Sequence, residues 1–247
     1  MKNYKWTDAI GQVMNYDAWR PIYEEIVREF GFDAAEDRRA AALLSSLLSQ
    51  SRVLSKEALA TMLRGREVCV IGGGVKLEDL SLINEISIAA DGAVGILMKH
   101  GVVPEVIVTD LDGDVEAQVA ANEKGSLAII HAHGDNIELL KRWVPRFSGS
   151  VMGTTQTAPM SNMHNFGGFT DGDRAVLLAD EMGARSISLV GFDFEHPAPK
   201  GCQDPDLKRR KLRWAARLVR MVKSAEVIVA RREQSYLSRI QRSCTGD

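Results

Sequence analysis

The chain has 247 residues, of which 45% are apolar, and a formal net charge of −2 at pH 7. This composition suits a globular protein with a full core and indicates no general attraction to nucleic acid or to an anionic membrane. No apolar run approaches the ~20 residues of a membrane span, and three scattered cysteines form neither a CxxC pair nor a disulfide framework, so we expect a cytoplasmic protein.

Residues 1–65 are predicted to be a helical N-terminal region. Apolar side chains from Trp19 to Phe30 recur at helix spacing and stop before Gly31, a natural helix end. A stripe of Ala and Leu predicts a second helix over 34–48, and Ser55 is expected to cap a third. These stripes are typical of a packing face, and no group of catalytic residues is evident among them.

From Glu67 onward, short apolar runs alternate with helical segments. The predicted strands cover 68–71, 86–90, 104–108, 127–130, 150–152 and 187–190, and 227–229 is a candidate for a last one. This alternation is typical of βαβ units and predicts a mostly parallel, doubly wound α/β sheet with helices on both faces. We therefore expect an α/β catalytic domain over 66–230, followed by a C-terminal helix or tail over 231–247.

Polar and glycine residues follow the predicted strands in each unit. In open α/β sheets, ligands bind in the crevice outside the carboxyl ends of the strands, so these residues should converge on one edge. They are Gly72–Gly74, Asp91, Asp110–Asp114, His133–Asn136, Gly153–Gln156 and Asp193.

The densest of these groups is Val108-Thr109-Asp110-Leu111-Asp112-Gly113-Asp114, where three carboxylates stand at alternate positions. Like charges this close repel, and Mg²⁺, which prefers carboxylate oxygens and substrate phosphates, would neutralise them. The alternative is a solvated acidic turn that caps the next helix through Asp112 or Asp114.

Two further features suit an anionic ligand. Thr170 or Asp171 is a good N-cap, and the free N–H groups of the helix that follows offer a place for a phosphate oxygen. A basic helix opening at Asp206 carries Lys208 and Lys211. We expect most of its charges to be solvated, and the sharper alternative is that one or two of them reach phosphates.

Several familiar motifs are missing from the sequence. It contains no complete GxGxxG fingerprint, no GxxxxGK[ST] and no GxSxG, and the pair His131 and His133 has no Cys partner at zinc-ligand spacing. What remains is phosphate chemistry without a P-loop, based on acidic strand ends, glycine turns and a helix N-terminus.

Four motifs in this order resemble the archaeal 6-hydroxymethyl-7,8-dihydropterin pyrophosphokinases, whose fold is related to the catalytic domain of thiamin pyrophosphokinase. They are Asp91-Gly92, Thr109-Asp110-Leu111-Asp112-Gly113-Asp114, His133-Gly134-Asp135-Asn136 and Phe169-Thr170-Asp171-Gly172-Asp173-Arg174, and the resemblance covers roughly residues 65–225. It implies Mg²⁺-dependent transfer of diphosphate from ATP to a reduced pterin, with release of AMP, in folate-type cofactor biosynthesis. Thiamin pyrophosphokinases have a serine where this chain has Gly113-Asp114, which argues against thiamin as the acceptor.

The resemblance also implies roles for individual residues. Asp110, Asp112 and Asp135 are assigned to Mg²⁺ and to catalysis. The residues expected to contact ATP, the pterin or a second metal are Gly73, Gly74, Asp91, Gly92, Thr109, His133, Asn136, Thr154, Thr155, Gln156, Asp171, Asp173, Lys208 and Lys211. Related folds suggest a homodimer. Two other functions stay open: nucleotide-sugar-dependent glycosyl transfer, as in flagellin-modification relatives, and a non-catalytic nucleotide-binding module.

Overall fold

A computed structural model describes residues 15–83, 86–160, 162–196 and 204–230. Its helices are α1 (Tyr16–Phe30), α2 (Ala34–Leu47), α3 (Lys56–Leu63), α4 (Ala93–Lys99), α5 (Val115–Glu123), α6 (Ile137–Trp143), α7 (Asp171–Glu181) and α8 (Pro205–Val219). Its strands are β1 (Arg52–Val53), β2 (Glu67–Ile71), β3 (Ile86–Ala90), β4 (Val106–Thr109), β5 (Leu127–Ala132), β6 (Ser150–Thr155), β7 (Met163–His164), β8 (Ser186–Val190) and β9 (Glu226–Val229). The predicted tail over 231–247 lies outside the described residues.

The N-terminal helices begin and end at local signals in the sequence. The side chain of Asn15 accepts a hydrogen bond from the Ala18 N–H and caps α1, and Gly31 ends that helix with φ +70°, a conformation that glycine adopts without strain. The predicted cap of α3 is confirmed, because Ser55 Oγ accepts from the Ala58 N–H. The region is not wholly helical, since the two-residue strand β1 was too short to give a sequence pattern.

The predicted parallel sheet is confirmed. Each of its nine strands pairs in parallel, in the order β1-β6-β5-β4-β3-β2-β8-β9, and β7 pairs with β6. The chain runs outward from β2 through β3, β4, β5 and β6, and then returns through α7 to place β8 on the other side of β2. This reversal of direction creates a crevice at the carboxyl edge of the sheet, which is where ligands of such folds bind.

Helices cover both faces of the sheet. Along β2, Val68 and Val70 belong to a core shared with α1, α3, α7 and α8, and the alternating residues Cys69 and Ile71 belong to a core shared with α4. Helices α2, α5 and α6 pack beside β5 and β6 on that second face. Trp19 of α1 is buried in the same core as the strands, so the N-terminal helices are packed on the sheet directly.

Two segments differ from the sequence prediction. Between β2 and β3, where a helical segment was expected, Leu77–Leu82 form a 3₁₀ helix, and the strand predicted over 150–152 continues to Thr155 and pairs with the short strand β7. Within the ranges that the structure describes, no helix has the length and apolar character needed to cross a membrane.

Candidate active site

Three carboxylates from separate elements meet at the carboxyl edge of the sheet. Asp91 follows β3, Asp110 follows β4, and Asp171 is the first residue of α7, which packs across β2, β3 and β4. One oxygen of each lies within 4.8 Å of the others, close enough for all three to hold one metal ion. Carboxylate oxygens are the ligands that Mg²⁺ prefers, so the donor set fits that ion.

The electrostatics of this group favour a bound cation. Burial, together with the negative charges of Asp110 and Asp91, raises the pKa of Asp171 well above its ordinary value. Burial also acts to raise the pKa of Asp110, but the hydrogen bond and charge of His133, aided by the charge of Arg174, lower it overall. A divalent cation would relieve the repulsion that Asp171 experiences.

Arg174 is the buried positive charge behind the three carboxylates. Its Nε lies 3.9 Å from Asp171 Oδ1, and its Nη1 donates to the carbonyl oxygen of Gly168 at 3.1 Å. Only 4% of its side chain is exposed. Burial acts to lower the pKa of this guanidinium, whereas the charges of Asp171 and Asp173 oppose that shift. Arginine stays protonated in proteins, so Arg174 is a fixed positive charge at the site.

The backbone near the carboxylates is strained. Asp91 has φ +40° and Leu111 has φ +70°, and the second value is rare for a bulky residue. Gly113 allows the two loops to approach, because a Cβ atom at this position would lie 2.4 Å from Asp91 Oδ2. Such outliers cluster at functional sites, where the surrounding structure holds them in place.

Two buried side chains orient Asp91. The Nε2 of Gln118, on the inner side of α5, donates to Asp91 Oδ1 at 3.0 Å, and the Thr109 hydroxyl lies 3.2 Å from the same oxygen. The Thr109 hydroxyl also accepts from the Leu111 N–H at 2.8 Å, so it supports the strained turn as well.

The loop after β5 is joined to the loop after β4. His133 Nδ1 accepts from the Asp135 N–H at 3.3 Å, which in a neutral ring leaves the proton on Nε2, 3.5 Å from Asp110 Oδ2. The side-chain amide of Asn136 donates to the carbonyl oxygens of Asp110 and His131 at 2.8 and 2.7 Å. These bonds fix the position of Asp110 relative to β5.

A cavity of about 210 Å³ opens beside Asp110. It lies between the α1–α2 turn, the loop after β5, the start of α7 and one turn of α8. Its lining residues are Gly31, Phe32, Asp33, Glu36, Asp37, Asp110, His131, His133, Gly134, Asp135, Gln156, Phe169, Arg174 and Lys211. Asp110 therefore belongs both to the carboxylate group and to the cavity wall, which places the two next to each other.

The N-terminal region is part of this site, which the sequence did not indicate. Buried Asp37 accepts from the Tyr23 hydroxyl at 2.6 Å, from Gln156 Nε2 at 2.8 Å and from the Gly134 N–H at 2.8 Å. Burial, and then the hydrogen bond to Asp37, raise the pKa of the Tyr23 phenol far above its ordinary value. Trp19 Nε1 donates to the Gln156 carbonyl oxygen at 2.9 Å. These bonds attach α1 and α2 to the ends of β5 and β6.

The residues predicted to bind metal are distributed around Asp110. Asp135 lines the same cavity as Asp110. Asp112 is exposed, its N–H donates to Asp110 Oδ1 at 3.2 Å, and it lines a second cavity of about 400 Å³ together with Asp114. Asp114 caps α5 by accepting from the Ala117 N–H, as one alternative expected. The geometry brings Asp91 and Asp171 to Asp110 instead, and metal binding by Asp112 and Asp135 stays a prediction.

The residues predicted to bind substrate lie in different parts of the structure. Asp91 and Asp171 are in the carboxylate group, and His133, Gln156 and Lys211 line the cavity. Others are buried and hydrogen-bonded within the protein, so they position the loops: Thr109, Asn136, Thr154, Thr155 and Asp173. Gly74 packs against the carbonyl oxygen of Gly191, Gly73 faces open space, and Gly92 precedes α4. Lys208 lies on α8 and is not among the residues that line either cavity described above.

Sequence reasoning missed Arg174, Gln118 and Asp37 as site residues. Arg174 stood at the end of a quoted motif, and its charge among helical apolar residues was the available signal. Gln118 and Asp37 each look like an ordinary polar residue of an amphipathic helix, and only the tertiary packing brings them to the site.

Comparison with known proteins identifies the relatives of this chain. A family model described as 6-hydroxymethylpterin diphosphokinase MptE-like matches residues 45–198. A protein of Pyrococcus furiosus named 6-hydroxymethyl-7,8-dihydropterin pyrophosphokinase is 40% identical over 220 residues, covering 87% of this chain and 93% of the relative. Proteins of the same name from Methanocaldococcus jannaschii and Methanothermobacter thermautotrophicus are 35% and 37% identical, covering 85% and 83% of this chain and 96% and 94% of those relatives.

Proposed function

The chain belongs to the 6-hydroxymethylpterin diphosphokinase MptE-like family, and we infer that it is an enzyme that transfers diphosphate from ATP to 6-hydroxymethyl-7,8-dihydropterin. The hydroxymethyl oxygen of the pterin forms a bond to the β-phosphorus of ATP. The bond from that phosphorus to the oxygen of the α-phosphate breaks, the hydroxyl loses its proton, and AMP leaves. The relatives' names support the diphosphotransferase activity, and the site geometry supports the identity of the participating groups.

One observation carries this proposal: Asp110 belongs to both the carboxylate group and the wall of the neighbouring cavity. A two-substrate reaction needs the nucleophile and the phosphate to meet in one place, and positioning is a large part of catalysis in phosphoryl transfer. Because Asp110 belongs to both, a triphosphate held through the metal and a second ligand in the cavity would meet at this residue.

Asp91, Asp110 and Asp171 are the residues that would hold Mg²⁺. Bound to these carboxylates, Mg²⁺ would supply positive charge that neutralises the triphosphate of ATP. His133 restrains the carboxylate of Asp110, and Gln118 restrains that of Asp91, so the protein itself orients two of the three donors. Arg174 and Lys211 contribute positive charge to the wall of the cavity beside Asp110.

The phosphate is not expected to bind directly to the first turn of α7. The carboxylate of Asp173 accepts from the N–H groups of Phe169 and Thr170, and Asp171 adds a second negative charge to the same turn. These carboxylates occupy the positive end of the helix dipole, so contact with an anion there requires an intervening cation.

The direct test is product analysis with the purified chain, Mg²⁺, ATP and 6-hydroxymethyl-7,8-dihydropterin. We expect AMP and the pterin diphosphate in equal amounts, and no AMP when Mg²⁺ is chelated. Asp110→Asn should remove the activity, while Asp17→Asn, an exposed carboxylate on α1, should retain it. Release of ADP, or no turnover of the pterin, would reject the proposal. The separate variants Asp112→Asn and Asp135→Asn then decide whether these two flanking residues also contribute.

A further inference from the structure

The cavity beside Asp110 combines an aromatic wall with a buried polar atom that has no hydrogen bond. From these two features we propose that the cavity binds the pterin ring of the acceptor, with Phe32 and Phe169 against the ring and His131 Nε2 as a hydrogen-bond partner at its edge. The inference builds on the proposed function and adds a location and specific residues for the second substrate.

Two half-buried phenylalanines form the aromatic wall. Phe32, in the α1–α2 turn, and Phe169, just before α7, both line the cavity, with ring centroids 6.2 Å apart and planes inclined by 48°. Phe30 packs behind both rings, at 5.5 Å from Phe32 and 5.0 Å from Phe169, so neither ring collapses into the core. A flat heteroaromatic ligand stacks well on such surfaces, because aromatic stacking tolerates any base that has a π-face.

His131 supplies the polar contact. It is buried, with 1% exposure, and lines the cavity. Its Nδ1 lies 3.1 Å from Thr154 Oγ1, and that hydroxyl donates to the Ile130 carbonyl oxygen at 3.3 Å. His131 Nδ1 is therefore the donor to Thr154, which leaves Nε2 as an acceptor; no well-oriented hydrogen bond reaches it, and the interaction of the Gln156 side chain with the ring has only a minor effect. Buried polar atoms are almost always paired, which indicates a ligand that donates to Nε2.

The protonation of His131 suits an acceptor. Burial, followed by the electrostatic influence of Arg174 and His133, lowers its pKa well below the ordinary value, against a weaker opposing interaction with the Gln156 side chain. The imidazole is therefore neutral at physiological pH. A reduced pterin carries ring N–H groups and an exocyclic amino group, which are the donors that a neutral imidazole nitrogen accepts.

Size and charge favour the pterin over the nucleotide. Pockets for drug-sized ligands measure about 300–1,000 Å³, so 210 Å³ fits a bicyclic ring better than ATP. Among the lining residues, Asp33 and Glu36 suit an amino group, and Arg174 and Lys211 suit a carbonyl oxygen. Asp110 lines the cavity and is also one of the three carboxylates, so the hydroxymethyl arm of a pterin bound in the cavity would lie near the phosphate.

The test measures pterin binding and ATP use separately in the full chain. Calorimetric titration of 6-hydroxymethyl-7,8-dihydropterin without ATP gives the Kd, and steady-state kinetics give the KM for ATP. We expect Phe32→Leu and His131→Phe each to raise the pterin Kd about tenfold and to leave the KM for ATP within twofold. Phe147→Leu is the matched control, because Phe147 is buried away from the cavity, and it should leave both constants unchanged.

Two outcomes would overturn the inference. The first is a pterin Kd within twofold of wild type in a folded Phe32→Leu protein. Because the Phe32 side chain is half-exposed, this substitution carries little risk of misfolding. The second is a rise in the KM for ATP with the pterin Kd unchanged, which would assign the cavity to the nucleotide. Failure of the proposed function is distinguishable, since wild-type protein would then bind the pterin without forming AMP.

Discussion

Replacing Asp171 by Asn should stabilise the protein when no divalent cation is bound. The oxygens of Asp91, Asp110 and Asp171 lie within 4.8 Å of one another, so each pair of charges repels by about 3.5 kcal/mol at an effective dielectric constant of about 20. Asn is nearly isosteric and removes two of these repulsions. It also loses the attraction to Arg174, 3.9 Å away, and a favourable charge at the start of α7. We expect a net gain of about 1–3 kcal/mol at pH 8.

The gain should depend on pH in a defined direction. The folded-state pKa of Asp171 is raised, mainly by burial and then by the neighbouring carboxylates. The folded protein thus binds this proton more tightly than the unfolded chain, and wild-type stability falls as pH rises through the raised pKa. The Asn variant does not titrate there, so its advantage should grow with pH and disappear in acid.

Thermal unfolding measured from pH 5 to 8.5, with a chelator or with Mg²⁺, tests both statements. At about 2–4 °C per kcal/mol for a chain of this size, the variant should melt about 2–12 °C above wild type at pH 8 without metal. Mg²⁺ should raise the Tm of wild type and of the Asp17→Asn control, but not that of Asp171→Asn. A variant that melts below wild type without metal, or that Mg²⁺ stabilises as much as wild type, would refute the reasoning.

Three other substitutions test how the carboxylate site is held in place. Gly113→Ala puts a Cβ 2.4 Å from Asp91 Oδ2, so we expect turnover to fall at least tenfold with a small loss of Tm, and a variant with normal kcat would contradict the proposed packing. His133→Ala removes the main influence that lowers the pKa of Asp110, so the acid limb of the kcat/KM profile should move to higher pH, and an unmoved limb would disprove the coupling. Asp37→Ala leaves three donors unpaired, two of them buried, and should cost about 2–4 kcal/mol in urea unfolding, whereas a loss under 1 kcal/mol would show that water replaces the carboxylate.

The sheet and its functional edge were predictable from sequence because both depend on local patterns. Continuous apolar runs such as Val68–Ile71 and Val106–Val108 indicate buried parallel strands, and polar residues directly after them must lie at the carboxyl edge. The family was recognisable for the same reason, since its motifs are these strand ends, and the comparisons confirm it.

The carboxylates that lie next to Asp110 were harder to predict, because the three-dimensional packing of distant segments brings them together. Asp112 is two residues away in sequence, but its backbone carries it to the exposed side of the turn, where it lines the second cavity. Asp171 is 61 positions away and arrives through the crossover that places α7 over β3 and β4. Adjacency in sequence therefore led from Asp110 to Asp112, whereas the fold brings Asp91 and Asp171 close to Asp110.

Asp37 shows a second limit of sequence reasoning. In the run Ala34–Leu47 it looks like an ordinary acidic residue of the first helical turn, which stabilises a helix in solvent. Its contact with the Gly134 N–H joins residues 97 positions apart, and a Cβ at Gly134 would lie 2.7 Å from Glu36 Cβ. No local pattern encodes a fit of this kind, so the role of α2 in the site became visible only with the fold.

The buried strands β3 and β4 hold the carboxylates of the site together despite strained turns at Asp91 and Leu111. Each non-glycine residue in this conformation costs about 1–3 kcal/mol, in addition to the repulsion among the carboxylates. Both turns extend from fully buried strands, β3 and β4, and Leu111 itself is 1% exposed within the core shared with α5 and α6. A buried Leu contributes about 1.5–3 kcal/mol, which offsets the strain at its own backbone. Because the core holds the oxygens together, a cation gains their full attraction without first ordering the loops, and the same rigidity fixes the distance from Asp110 to the neighbouring cavity.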